Sequence, residues 1–127
     1  MKRELDIVVY GSCGFTGKLV ARYLLESVQR TGARIGLAGR SFDKLKAARD
    51  EILLSSPASA SLDPPLIAAD DDESLCALAG RTSVVISTAG PFALCGTPLV
   101  AACVQSQTNC ALLYLNSSRA CIHVLFA

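Results

Sequence analysis

The sequence predicts an α/β chain: a doubly wound parallel sheet of strand order 3-2-1-4, with room for a fifth strand. Strand-like apolar runs alternate strictly with segments of helical spacing, which gives parallel strands joined by right-handed crossovers. The strand runs are almost continuously apolar, as expected when both faces of a sheet are covered. A further observation marks one end of that sheet. "VVYGSCGFTGKLV", residues 8–20, places Gly11, Gly14 and Gly17 between the first strand and the first helix.

Each element has a local cause. "LDIVVY" (5–10) is a short β-branched run and reads as a buried strand. Leu19, Val20, Tyr23, Leu24 and Val28 then recur at three and four residues, the spacing of an apolar helix face. "TGARIGLAG" supplies a turn at Gly32 and a second strand near 34–38. Ser41 is placed to cap the helix "FDKLKAARDEILL", with Asp43 in its first turn to complement the dipole. Phe42, Leu45, Ala48 and Ile52 form that helix's stripe, with Leu53 at its margin. "SSPASASLDPP" (55–65) has no periodicity and reads as a surface loop. "LIAAD" (66–70) is a third strand, and "DDESLCALAG" a short helix with acids at its start and Gly80 at its end. "SVVIST" (83–88) is a fourth strand. "TPLVAACVQSQ" is a helix with Pro98 in the first turn, where proline is tolerated.

Composition narrows the function classes. The 127 residues make one domain, with 51% apolar and 18% charged residues, which fits a globular chain. A net charge of +1 gives no electrostatic pointer to nucleic acid. No charged residue lies between Arg81 and Arg119, but Gly90, Pro91 and Pro98 would break a spanning helix there. Glu4 and Asp6 interrupt the N-terminus, so it does not read as a secretory signal. The six cysteines (13, 76, 95, 103, 110 and 121) include no CxxC pair and read as buried thiols in a reducing compartment. The expected location is therefore cytoplasmic or organelle-associated, not secreted. His123 is the lone histidine, which excludes a His-rich metal site.

The glycine loop has a specific reading in this context. Gly11 allows a tight turn out of the strand, Gly14 lets backbone N–H groups approach a pyrophosphate, and Gly17 lets the helix pack close to the sheet. The spacing is G-x-x-G-x-x-G, one residue wider than the usual fingerprint. The plainer reading is a turn that binds nothing; the position after the first strand favours a dinucleotide. At the end of the second strand, Arg40 and Ser41 stand where an acid would hold a ribose 2′-hydroxyl. A guanidinium pairs with a 2′-phosphate instead, so NADP is expected over NAD. Asp70 ends the third strand, either meeting the adenine or serving "DDDE" (70–73) as a helix cap. Thr88, Ala89 and Gly90 are small enough for a cofactor to cross the fourth strand's end, or simply form a turn.

Two blocks carry a resemblance. "DIVVYGSCGFTGKLVARYL" with "GLAGRS", and "VVISTAGPFALCGTPLVAACVQSQT", resemble the N-terminal domain of saccharopine dehydrogenase-like oxidoreductases, a family related to trans-acting enoyl reductases. The likeness covers roughly residues 5–108. It implies an NAD(P)-binding Rossmann domain (1–108) and, in the family, a larger C-terminal domain completing the substrate site. Carried onto this chain, Gly11, Ser12, Gly14, Phe15, Thr16 and Gly17 form the loop. Arg40 lies at the ribose phosphate, and Thr88, Gly90 and Pro91 make the fourth-strand contact. Cys13 stands where Ala or Ser is commoner in the family. Peripheral membrane or lipid association is expected by the same analogy, and pairing with a full-length relative is expected if the chain is an interaction module.

After Thr108 the family pattern Y-V-D-x-[ST]-G-E gives way to "NCALLYLNSSRACIHVLFA". Residues 109–127 are therefore expected to be an alternative or misread end, with "ALLYL" as a makeshift fifth strand. No catalytic constellation accompanies the loop. Tyr10, Tyr23 and Tyr114 are followed four residues later by Gly14, Ser27 and Ser118, so a Tyr-x-x-x-Lys pair is lacking. Cys95 is the one nucleophile near the expected nicotinamide position, and a buried core role suits it better. Two readings follow: the cofactor-binding part of an NAD(P)-dependent oxidoreductase, inactive alone, or a non-catalytic nucleotide-binding or protein-interaction module.

Overall fold

A computed structural model describes residues 3–55, 62–88, 92–115 and 120–125, without the side chains of residues 29, 92–97, 113–115 and 120–125. The chain runs β1 (Leu5–Tyr10), α1 (Phe15–Glu26), α2 (Val28–Thr31), β2 (Ile35–Gly39), α3 (Phe42–Leu54) and β3 (Leu66–Ala68). It continues as α4 (Asp72–Gly80), β4 (Thr82–Ser87), α5 (Phe92–Gln105), β5 (Asn109–Leu115) and β6 (Ala120–Leu125). The sheet order is β3-β2-β1-β4-β5-β6. The first five are parallel, with Val8 opposite Gly36 and Val85. This is the expected doubly wound arrangement, 3-2-1-4, with the fifth strand in place.

Strand alternation divides the core between two layers. Ile35 and Leu37 pack with Ala21, Leu25, Leu45 and Ile52 of α1 and α3. Val8, Tyr10, Ala38 and Val85 pack on the other side with Leu75 and Leu78 of α4 and Leu99 and Cys103 of α5. Among the described residues Cys13, Cys76, Cys103 and Cys110 are free thiols. A hydrogen bond from the Cys103 thiol to Cys110, together with burial, holds Cys103 far above the ordinary thiol range. No helix among the described residues is long and apolar enough to cross a membrane.

Three details differ from expectation. The buried residues of α1 are Gly17, Ala21 and Leu25, whereas Leu19 and Tyr23 face solvent. Gly17 must face the sheet because α1 lies against the loop that leads into it, and that fixes the helix's rotation. Phe42 of α3 is likewise exposed, leaving Leu45, Ala48 and Ile52 as its buried face. Pro98 lies inside α5 rather than in its first turn, because that helix begins six residues earlier, at Phe92. Beyond the expected fifth strand, β6 pairs antiparallel with β5, Leu112 opposite His123.

The half-buried Arg3 ties the sheet end away from the glycine loop. Its guanidinium donates to the carbonyls of Ala79 (2.9 Å), Thr82 (2.7 Å) and Ser106 (2.6 Å) and to the Thr108 hydroxyl. These groups lie at and just beyond the C-terminal ends of α4 and α5, where carbonyls lack helical partners.

Asp71 starts α4 with a capping box. Its carboxylate accepts the Ser74 N–H at 2.7 Å, and the Ser74 hydroxyl accepts the Asp71 N–H at 3.1 Å. The Ser74 hydroxyl first, and its N–H second, hold the Asp71 carboxyl below the usual range. A folded-state value below the unfolded one stabilises at pH above the unfolded value and is lost as pH falls through the folded value. Asp71→Ala should therefore lower the melting temperature near neutral pH. The gap to wild type should close as pH drops through the carboxylate range. Thermal melts across that range check it, and a constant gap would exclude the ionised cap as its source.

Candidate nucleotide-binding site

The loop between β1 and α1 is a tight turn held from both sides. Gly11 has φ +91°, a left-handed conformation that favours glycine. The N–H groups of Gly11 and Ser12 donate to the Ala38 carbonyl at 2.9 and 3.2 Å, fastening the loop to the end of β2. The Ser12 side chain is fully buried, and its hydroxyl donates to the Val9 carbonyl at 2.6 Å. Ser12 thus braces the turn instead of offering its hydroxyl to a ligand. Thr88, just past β4, donates its N–H to the Tyr10 carbonyl at 2.9 Å. Its hydroxyl lies 3.2 Å from the carbonyl oxygens of both Tyr10 and Gly11. It too clamps the loop.

Gly17 is where helix and loop meet. A Cβ there would lie 2.0 Å from the Gly11 carbonyl oxygen and 2.8 Å from the Thr88 hydroxyl. Gly14 differs: its φ of −80° and ψ of 168° suit any residue, and a Cβ would meet only the Gly11 oxygen at an ordinary 3.6 Å.

That open space lies at the start of α1. The helical ladder begins with the Lys18 N–H donating to Gly14 at 2.9 Å, so the N–H groups of Phe15, Thr16 and Gly17 precede it. No side chain caps this end and no acid lies in its first turn. The neighbouring α3 and α4 have Ser41 and Asp71 as caps, with acids in both first turns. Among these three, α1 alone presents an uncapped N-terminus, beside a glycine whose missing side chain the fold does not require. Both features fit a phosphate.

A cavity of about 210 Å³ adjoins the loop, walled by Tyr10, Gly11, Cys13 and Gly39 and rimmed by Arg40, Ser41 and Lys44. The Tyr10 hydroxyl donates to the Ala69 carbonyl at 2.8 Å, fixing the ring as part of the wall. No carboxylate lines this cavity, and neither Arg40 nor Lys44 makes an ion pair among the described residues. Burial pushes the Cys13 thiol up, with the charges of Lys18 and Lys44 acting against it. Two larger hollows, of about 360 Å³ between α1 and α3 and about 280 Å³ beside Leu5 and Ile35, lie elsewhere. Their volume is less telling than the charge around the smaller one: acids line both larger hollows, Glu51 the first and Glu4 and Asp63 the second, and none among the described residues lines the smaller.

The structure thus brings the loop, Arg40 and Ser41 together at one sheet end. Ser41 caps α3, its hydroxyl accepting the Lys44 N–H at 3.4 Å. The exposed Asp70 lies beyond β3 and donates its N–H to the Ser74 hydroxyl at 3.0 Å, while Asp71 is the cap of α4. Thr16 is half-buried at the start of α1, and the Phe15 side chain projects into solvent, 82% exposed. Gly90 and Pro91 lie outside the described residues, as does the side chain of Cys95. Lys44 also borders this cavity, a placement sequence reasoning did not anticipate. Its signal was the four-residue spacing from Arg40 across a capping serine.

The saccharopine dehydrogenase NADP-binding domain model matches residues 7–121. The chain belongs to that family. It is 47% identical over 112 residues to a trans-acting enoyl reductase of Mycobacterium leprae, covering 87% of this chain and 25% of the relative. The Mycobacterium tuberculosis protein of the same name is 46% identical over 112 residues, with the same coverage. The chain therefore spans a quarter of the length of these relatives. Among solved structures, an Escherichia coli oxidoreductase aligns with a TM-score of 0.61 at 18% identity, over 93% of this chain and 61% of that one. A short-chain dehydrogenase from Shigella flexneri, complexed with NADP, gives 0.56 at 18% identity, over 83% and 54%. At such identities the likeness is one of fold, the Rossmann-type arrangement described above.

Proposed function

We propose that these 127 residues are the cofactor grip of an NADP-dependent oxidoreductase and supply no substrate chemistry of their own. The observation that supports this most directly is the uncapped start of α1 beside Gly14, together with the unpaired Arg40 at the adjoining cavity. When bound, the dinucleotide supplies the hydride. The chain's residues bind and orient it. The N–H groups of Phe15, Thr16 and Gly17 would hold the pyrophosphate, and Arg40 the 2′-phosphate. Ser12 and Thr88 keep the loop in shape. The enoyl reductase relatives make reduction of a carbon–carbon double bond the favoured reaction of the whole enzyme. Lipid association rests on the same analogy, pairing with a full-length relative goes with the interaction-module reading, and an intracellular location rests on the cysteine pattern.

A non-catalytic interaction module is the second reading. Phe15, Leu19 and Tyr23 recur every four residues on α1 and are 82%, 42% and 65% exposed, an apolar stripe suited to a partner. That stripe accounts for neither the uncapped helix end nor the unpaired cations.

Fluorescence titration of the chain with NADPH and NADH tests the favoured reading. NADPH should bind more tightly, by about tenfold or more for one charge-assisted contact, and Arg40→Ala should abolish most of the difference. Equal affinity of the wild type for both would remove the NADP preference, and binding of neither would remove the cofactor function.

A further inference from the structure

We propose that Lys44 is a specificity-determining residue that shares the cofactor's 2′-phosphate with Arg40. The proposal rests on the reading of the loop as an NADP site and adds a residue to it.

Lys44 stands at the third position of α3, which begins at Phe42 after the Ser41 cap. The N-terminal end of a helix is the positive end of its dipole, so a lysine there is electrostatically misplaced for folding alone. Some other cations among the described residues are neutralised, Lys18 by Glu51 at 2.7 Å, Arg34 by Asp6 at 3.2 Å and Arg49 by Asp50 at 3.4 Å, while Arg22, Arg30 and Lys46 make no ion pair there but lie away from this cavity. Lys44 has no such partner among the described residues, and neither does Arg40, four residues before it. Both rim the same cavity of about 210 Å³, which no carboxylate among the described residues lines. Two unpaired cations and a helix start with no opposing acid in the wall form a site for a dianion. The influence of Lys44 on the Cys13 thiol, across that cavity, accords with its ammonium standing near the cavity wall. A residue that opposes its own helix dipole yet borders a cationic cavity is the kind of local conflict that marks a ligand contact.

The geometry separates the two cations by role. Arg40 follows β2 directly, so the sheet end positions its backbone, and its planar fork suits two phosphate oxygens. Lys44 rises from the first turn of α3 and adds a point charge from the helix side. The Ser41 hydroxyl between them accepts only a long bond from the Lys44 N–H, at 3.4 Å, and its own proton is available to the same phosphate.

Calorimetric titration of the full chain tests this, with NADPH, NADH, adenosine 2′,5′-bisphosphate and adenosine 5′-monophosphate as ligands. Lys44→Gln should weaken NADPH and the bisphosphate by about tenfold, while NADH and the monophosphate change by less than about twofold. Lys44→Arg should restore most of the lost affinity. The melting temperature of the ligand-free Lys44→Gln variant should be unchanged or raised, since a cation leaves the helix start. Equal weakening of NADPH and NADH, or no change in either, overturns the lysine's role and leaves the cofactor reading standing. A wild-type chain that binds none of the four ligands overturns the cofactor reading, and this proposal with it.

Discussion

Gly17→Ala is expected to destabilise the chain by roughly 3–5 kcal/mol, at the upper end of what single substitutions do. The added Cβ would lie 2.0 Å from the Gly11 carbonyl oxygen and 2.7 Å from its carbon. Those are backbone atoms, so no rotamer change relieves the clash. Either α1 moves off the sheet or the Gly11 turn opens. Moving α1 uncovers Ala21 and Leu25, which pack with Ile35 and Leu37. Opening the turn breaks the Gly11 and Ser12 bonds to Ala38. Native stabilities of about 5–15 kcal/mol leave little margin for either. Gly80→Ala is the control: its Cβ would meet nothing within 4 Å at the end of α4. It should stabilise by roughly 0.5–1 kcal/mol, because alanine restricts the unfolded chain. Denaturant titration of both variants checks the pair. A Gly17→Ala chain as stable as wild type would mean that α1 is not held against the loop.

The order of elements was legible because it depends on coarse features. Continuous apolar runs and helical spacing survive local exceptions, and the right-handed crossover then leaves few topologies. Helix rotation was less legible. Leu19 and Tyr23 fit an apolar helix face by spacing, yet Gly17, Ala21 and Leu25 are the buried set. A glycine adds nothing to an apolar stripe, so periodicity cannot show that the closest contact is made where a side chain is missing. The start of α5 was hidden for a related reason. Pro98 signals a first turn, but the helix runs from Phe92 with proline in its interior.

The candidate site shows the same division. Arg40 could be expected at the cavity from its place after β2, because strand ends are where dinucleotides lie in such folds. Lys44 could not, because charged residues on a helix are usually solvated, and only the cavity shows which one borders the loop. Ser12 and Thr88 were expected at the candidate site, Ser12 from the resemblance alone, but not in the roles they have there. Their hydroxyls donate to Val9 and to the Tyr10–Gly11 turn, partners that sequence spacing does not reveal. Asp70 and Asp71 were indistinguishable as neighbours in an acidic run. Ser74 separates them, since its N–H reaches Asp71 at 2.7 Å and completes the capping box there.

Gly14→Asp should raise or preserve stability and abolish NADPH binding, and that opposition is the strongest test of the loop's purpose. Glycine is a weaker N-cap than aspartate, by a few tenths of a kcal/mol. An acid at the start of α1 also complements its dipole, by roughly 0.3–1 kcal/mol. The backbone accepts the change, with φ −80° and ψ 168°, and a Cβ meets only an ordinary 3.6 Å contact. Folding alone would therefore favour Asp over Gly at position 14. A pyrophosphate approaching the N–H groups of Phe15, Thr16 and Gly17 would instead meet a carboxylate. Like charges juxtaposed in a binding site cost several kcal/mol, a loss of about a hundredfold or more in affinity. Gly14→Ala separates bulk from charge: it should leave melting unchanged and weaken NADPH by a smaller factor. Thermal melting and NADPH titration of the same preparations give both readouts. Wild-type affinity in Gly14→Asp would reduce the loop to a turn between strand and helix. Loss of folding in Gly14→Ala would mean that the glycine serves packing, as Gly17 does, and not an approaching phosphate.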